Sequence, residues 1–211
     1  MRRAGLAERT RAMSETNITS EWRQGGRRST ESKYEGRQGI ITKAARTCFE
    51  RKGVAKTSIA DITREVDITR ELFYYYFPNK GVVVDAVMDT FVADAQGMLA
   101  ELASAEDGLE GGVRGMMVAV MDVLHAWVNT DSDAPLPMVE LLRETGRWPQ
   151  VSYRVADAAV QALQTIGVVR IGADQATING LRMALIGSMM VMQCNDAISG
   201  DELAAGVLPL L

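Results

Sequence analysis

Residues 37–80 read RQGIITKAARTCFERKGVAKTSIADITREVDITRELFYYYFPNK. Ile40, Ile41, Ala44, Ala45, Cys48 and Phe49 recur at the spacing of one helical face, which predicts an amphipathic helix over about residues 36–52. Arg37, Lys43, Arg46, Arg51 and Lys52 fill its remaining surface, and Gly53 stands where a helix stops, because glycine takes left-handed backbone at little cost. Ser58 with Asp61 three residues on forms a capping pattern ahead of an inward face of Ile59, Ile62 and Val66. Asp67-Ile68 makes a tight turn. Thr69 then caps a second short helix anchored by Phe73 and Phe77, Pro78 ends it, and Asn79 caps the next.

Two short helices joined by a tight turn and braced by a third form the layout of a helix-turn-helix, whose second helix lies in the major groove of DNA. The run Tyr74-Tyr75-Tyr76 supports that reading. Consecutive helical residues point about 100° apart, so three rings in a row cannot all be buried, and at least one calls for a partner surface. The outward face holds Arg70, Glu71, Tyr74 and Tyr75. Arg70 has the reach for guanine O6 and N7, and tyrosine rings can press on thymine methyls. Thr57, Ser58, Thr69, Tyr76 and Lys80 sit at helix ends, where hydroxyls, an ammonium and free amides clamp phosphates. Glu71 either suits the positive end of its helix or accepts from a cytosine amino group, and Leu72 either meets a thymine methyl or is buried.

The charge divides at the same place. Residues 1–80 carry 17 Lys/Arg against 10 Asp/Glu, whereas residues 81–211 carry 6 against 17. A net charge of −4 over 211 residues conceals a basic front and an acidic back. The basic part suits a polyanion, and the acidic part should point away from it.

The pieces Ile41, Ala44-Ala45, Phe49, Gly53, Thr57-Ser58-Ile59, Asp61-Ile62, Val66, Ile68-Thr69, Phe73-Tyr74 and Phe77-Pro78-Asn79-Lys80 resemble the N-terminal domain of the TetR/AcrR family of bacterial transcriptional regulators. Asp67 departs from the family's usual turn glycine, though Asp tolerates left-handed geometry better than most residues. Glu71 and Leu72 depart from its small or polar residues. The resemblance implies an all-α protein, with an N-terminal three-helix helix-turn-helix DNA-binding domain and a C-terminal helical domain for ligand binding and dimerisation. It also implies a homodimer on a near-palindromic double-stranded operator, acting as a repressor that a small-molecule effector releases.

Three parts are expected along the chain. Residues 1–35 form a polar, basic arm, inert or in contact with phosphates or a minor groove; 36–80 form the helix-turn-helix; 81–211 form the helical effector and dimerisation domain. In the last part, helices are predicted over about 80–103, 109–129, 138–145, 149–166 and 174–194, with at most one short helix after that. Stripes of Val151, Val155, Ala158, Ala162 and Ile166, and of Ile178, Leu181, Leu185, Ser188 and Met192, are expected to form a four-helix seam between subunits. Met183, Ile186 and Met190 are then expected inside one subunit. The wide apolar arc around Met117, Met121, His125 and Trp127, with Trp148 after it, is a candidate pocket for a small apolar or amphipathic effector, with plain core packing as the alternative.

Catalytic signatures are missing: there is no GxSxG, HExxH or P-loop, and one histidine with two distant cysteines gives no metal-ligand spacing. No enzyme activity, cofactor or metal is expected. Cys48 and Cys194 make no disulfide framework, residues 1–35 lack the apolar core of a secretion signal, and no apolar run is long enough to span a bilayer. A cytoplasmic protein is the expectation.

Overall fold

The computed structural model describes residues 30–104, 111–129, 135–195 and 197–210, with side chains from residue 36 on and excepting Leu210. Among the described residues every regular element is helical: α1 Thr30–Lys52, α2 Ile59–Glu65, α3 Arg70–Tyr76, α4 Lys80–Ala103, α5 Gly112–Val128, α6 Met138–Glu144, α7 Trp148–Thr165, α8 Gln175–Cys194 and α9 Gly200–Val207, with a 3-10 turn at Leu208–Leu210. None of these helices is long and apolar enough to cross a membrane.

The punctuation follows the local chemistry. Gly53 takes φ +84° and ends α1. Ser58 accepts the Asp61 N–H while the Asp61 side chain returns to the Ser58 N–H, a reciprocal cap that satisfies two otherwise unpaired donors. Thr69 and Asn79 cap α3 and α4 with their side-chain oxygens. Asp67 adopts φ +50°, alone among the described non-glycine residues, so the turn keeps its left-handed geometry without the glycine. One boundary differs: α1 begins at Thr30, inside the stretch expected to be an arm, while residues 1–29 lie outside the described residues.

The first three helices close over Ile41, Ala44, Ala45, Cys48, Phe49, Ile62, Phe73 and Phe77, all buried. Arg46, expected on the solvent side of α1, instead tethers α1 to α4. Its guanidinium meets Glu50 at 2.8 Å and Asp94 at 2.7 Å and lies over the Phe91 ring at 4.5 Å. Burial opposes that charge, yet the hydrogen bonds to Asp94 and Glu50 outweigh it and hold the group above its ordinary pKa.

The remaining helices form the body. α4 packs on α7 and α5, α7 on α8, and α9 on α5. Trp127 is buried, donates its indole N–H to the Phe91 carbonyl at 2.8 Å and stacks on Trp148.

The faces of α8 largely reverse the expectation, although Ile186 is half-buried and packs against the core as expected. Ile178, Leu181, Leu185, Ser188 and Met192 are buried within the subunit, as are Val151, Val155 and Ala162 of α7. Met183 is 74% exposed and Met190 55%, with Val191 beside them. Both stripes of α8 are apolar, so periodicity marks two faces without saying which turns inward. Ile178, Leu181, Leu185, Met189 and Met192 fill the interior, each contributing about 1.5–3 kcal/mol on burial, while Met183 and Met190 stay outside.

Candidate nucleic-acid interface

α3 is two turns long and is seated by its aromatic residues. Phe73 and Phe77 are buried against α1 and α2, with ring centroids 5.8 Å apart. That anchor turns Tyr74, 50% exposed, and Tyr75, 68% exposed, outward beside the exposed Arg70 and Glu71. Tyr76 does not join them. It is 7% exposed, its ring stands edge-on to Tyr75 at 5.0 Å, and its carbonyl accepts a hydrogen bond from Gln38. The 100° step between neighbours explains the split, since the third ring of the run returns toward the Phe73 side.

Two other positions expected to clamp phosphates are engaged inside the protein. Thr57 is buried, and its hydroxyl lies 2.7 Å from the Gly53 carbonyl and 3.2 Å from that of Cys48. It knits the end of α1 to the start of α2, with its hydroxyl turned into the protein. The half-buried Lys80 donates from Nζ to the Val54 carbonyl, so its ammonium closes the same turn from the α4 side. Ser58 and Thr69 stand at the starts of α2 and α3, Ser58 exposed and Thr69 in the open cap of α3, each using its side-chain oxygen to cap its own helix.

Glu71 has a local partner set. Its own backbone N–H and the Thr69 side chain, with Arg70 adding to them, hold its carboxyl below the ordinary range. The carboxylate therefore suits the positive end of α3. Leu72 packs partly against the core. Behind the reading face, Asp61 joins Lys52 at 2.8 Å and the Ser58 cap; the Lys52 bond first, then the Ser58 bonds, lower its pKa. Cys48 is buried in the same wall, and burial first, then the Glu65 charge, pushes its thiol up. It packs as a small apolar group.

The α5 residues expected to line an effector pocket lie in closed packing. Met117, Met121 and Trp127 are buried core, and Trp148 packs against them at the core's edge. The half-buried His125 pairs with Asn129 through a ring nitrogen at 3.3 Å. Sequence reasoning missed Glu144, whose carboxylate takes the backbone N–H groups of Val54 and Ala55 at 3.1 and 2.7 Å from 90 and 89 residues away. A carboxylate at the end of a seven-residue helix has no periodic signature, and its partners are backbone atoms.

The family model for bacterial regulatory proteins of the tetR family matches residues 41–87. A stretch of 100 residues is 35% identical to the probable HTH-type transcriptional regulator ArpR of Pseudomonas putida, taking in 46% of this chain and 47% of that protein. A 100-residue stretch is 34% identical to the HTH-type transcriptional regulator TtgR, also of Pseudomonas putida, with the same shares. The chain thus spans about half the length of the curated relatives it matches. The fold resembles that of a TetR-family transcriptional regulator from Pectobacterium atrosepticum, with a TM-score of 0.51 at 21% identity over 85% of this chain and 92% of that one. With its capped short helices and the left-handed turn at Asp67, the stretch 41–87 matches the model for regulatory proteins of the tetR family, and the chain is similar to regulators of that family.

Proposed function

We propose that the protein is a sequence-specific DNA-binding transcriptional regulator: a homodimer that represses from a near-palindromic operator and leaves it when a small apolar or amphipathic effector binds. The observation that carries this reading is the division of the aromatic run, with Phe73 and Phe77 sealed in the core while Tyr74 and Tyr75 stand in solvent beside Arg70. A short helix that exposes two tyrosines and an arginine suits base edges and phosphates in a major groove.

The exposed face of α8 supports the dimer. Met183, Met190 and Val191 form an apolar strip on a helix whose opposite face is already used by the core. Pairing α7 and α8 of two copies covers that strip and sets two reading helices one DNA turn, about 34–36 Å, apart. An effector that separates those helices lowers operator affinity by its preference for the separated state. The site of action in this reading is the cytoplasm, where the operator lies.

A second reading, a DNA-binding protein with no effector, draws on one observation: Met117, Met121 and Trp127 are packed shut. Gel shifts on DNA flanking the protein's own gene, with and without a panel of apolar and amphipathic compounds, separate the two. Binding that a compound abolishes supports the first. Binding that no compound alters supports the second, and absence of specific binding rejects both.

A further inference from the structure

We infer that Glu144 is a positioning residue for DNA recognition: its carboxylate holds the turn leading into α2 and α3 and so sets where the reading unit stands relative to the body. This inference rests on the DNA-binding role proposed above.

Glu144 is the last residue of α6, and its two oxygens take two successive amides, Val54 N–H at 3.1 Å and Ala55 N–H at 2.7 Å. A carboxylate engaged through both oxygens fixes direction as well as distance. The other side of the turn is held too. The Val54 carbonyl accepts from Lys80 Nζ, at the start of α4, and from the Thr57 N–H at 3.2 Å. The turn after Gly53 is therefore gripped by the body through its amides and by α4 through a carbonyl, and the α2 cap at Ser58 follows directly.

The surroundings show that the approach is close. Gly53 has φ +84°, and a Cβ there would lie 3.1 Å from a Glu144 oxygen and 3.2 Å from Leu136. Polar links flank the clamp on both sides: the Leu136 N–H donates to the Glu50 carbonyl at 2.9 Å, and the Arg147 guanidinium meets Asp85 of α4 at 2.6 Å. Between them α6 buries Met138, Val139, Leu141 and Leu142 in the body. Residues 136–147 thus form a strap, with an apolar middle in the body core and polar ends on α1, the turn after it and α4. A cleft of about 400 Å³, lined by Val54, Lys80, Val84, Glu144 and Arg147 among others, lies beside the clamp. A movement of α6 reaches α2 and α3 through Glu144.

The test uses Glu144→Gln in the whole 211-residue chain and a duplex that the wild-type protein selects from a random-sequence pool. That duplex is rebuilt with its half-sites one or two base pairs closer or farther apart. The glutamine keeps the size of the side chain but presents an NH2 to one of the two amide donors. Wild type should prefer one spacing. In the variant the preference should shrink about tenfold, the loss expected when charge-assisted bonds give way, while affinity for a single half-site stays unchanged. Hydrogen exchange at Val54 and Ala55 should quicken while that of α2 and α3 does not. An unchanged spacing preference overturns the inference. So does an equal loss on every duplex with a lowered melting temperature, which makes Glu144 a fold residue only. Failure of the wild type itself to select any duplex rejects the DNA-binding reading instead.

Discussion

At the scale of single residues, the aromatic run shows how much chemistry decides and how much geometry must add. That three adjacent tyrosines cannot share one environment follows from helical rotation alone; that Tyr76 is the one turned inward depends on how Phe73 and Phe77 seat α3. Thr57 is legible as a polar residue before a helix, yet it bonds inward to Gly53 and Cys48 rather than outward. Thr57→Val should therefore cost about 1–3 kcal/mol of stability in a denaturant melt, because the one hydroxyl proton offered to the Gly53 and Cys48 carbonyls is lost. It should leave operator affinity unchanged where the variant is folded, and weaker binding at full stability would return Thr57 to the interface. Arg70→Ala should act in the opposite way. It should relax preference at one base pair by about 1–3 kcal/mol, read by competition among single-base operator variants, with little effect on the melt.

Among the elements, helix starts are the easiest to read, since Ser58, Thr69 and Asn79 announce themselves by residue type and all three cap as expected. Asp174, at the expected start of α8, caps it in the same way. Several carboxylates at these starts are held below their ordinary range: Asp61 by Lys52 and then Ser58, Asp174 by the Thr177 backbone and side chain, and Glu202 by the Ser199 backbone and side chain. A carboxyl with a depressed folded pKa contributes stability that is fully present above its unfolded value, about 4, and lost as pH falls through the folded value. Urea melts should thus show these contributions intact at about pH 6 and falling away below about pH 4. Stability that rises as the solution is acidified from about pH 4 to about pH 3 would contradict this account.

The faces of α8 are not legible in the sequence, because both stripes are apolar and only packing against α5 and α7 selects one. The strip left outside makes its own prediction. Met183→Glu with Met190→Glu should turn the dimer into monomers in sedimentation at micromolar concentration while leaving the melt of the subunit intact. A variant that stays dimeric removes this face from the interface.

For the whole molecule, the charge division and the fold agree. The basic first 80 residues include α3 with its exposed face, and the described helices of the acidic remainder form the body behind it. The all-α architecture and the start of α4 at Lys80 follow from patterning and caps. The strap from 136 to 147 does not, because its contacts reach across 62 to 90 residues, those of Glu144 to backbone amides, and leave no local trace. The account requires that two copies present α3 to one face of a duplex. The most direct measurement is selection from a random-sequence pool by the 211-residue chain at low and moderate ionic strength. It should enrich an inverted repeat whose half-sites are centred about 10–10.5 base pairs apart, with affinity falling as salt rises. A pool that stays unenriched at low ionic strength, or that yields a single asymmetric site, would contradict it.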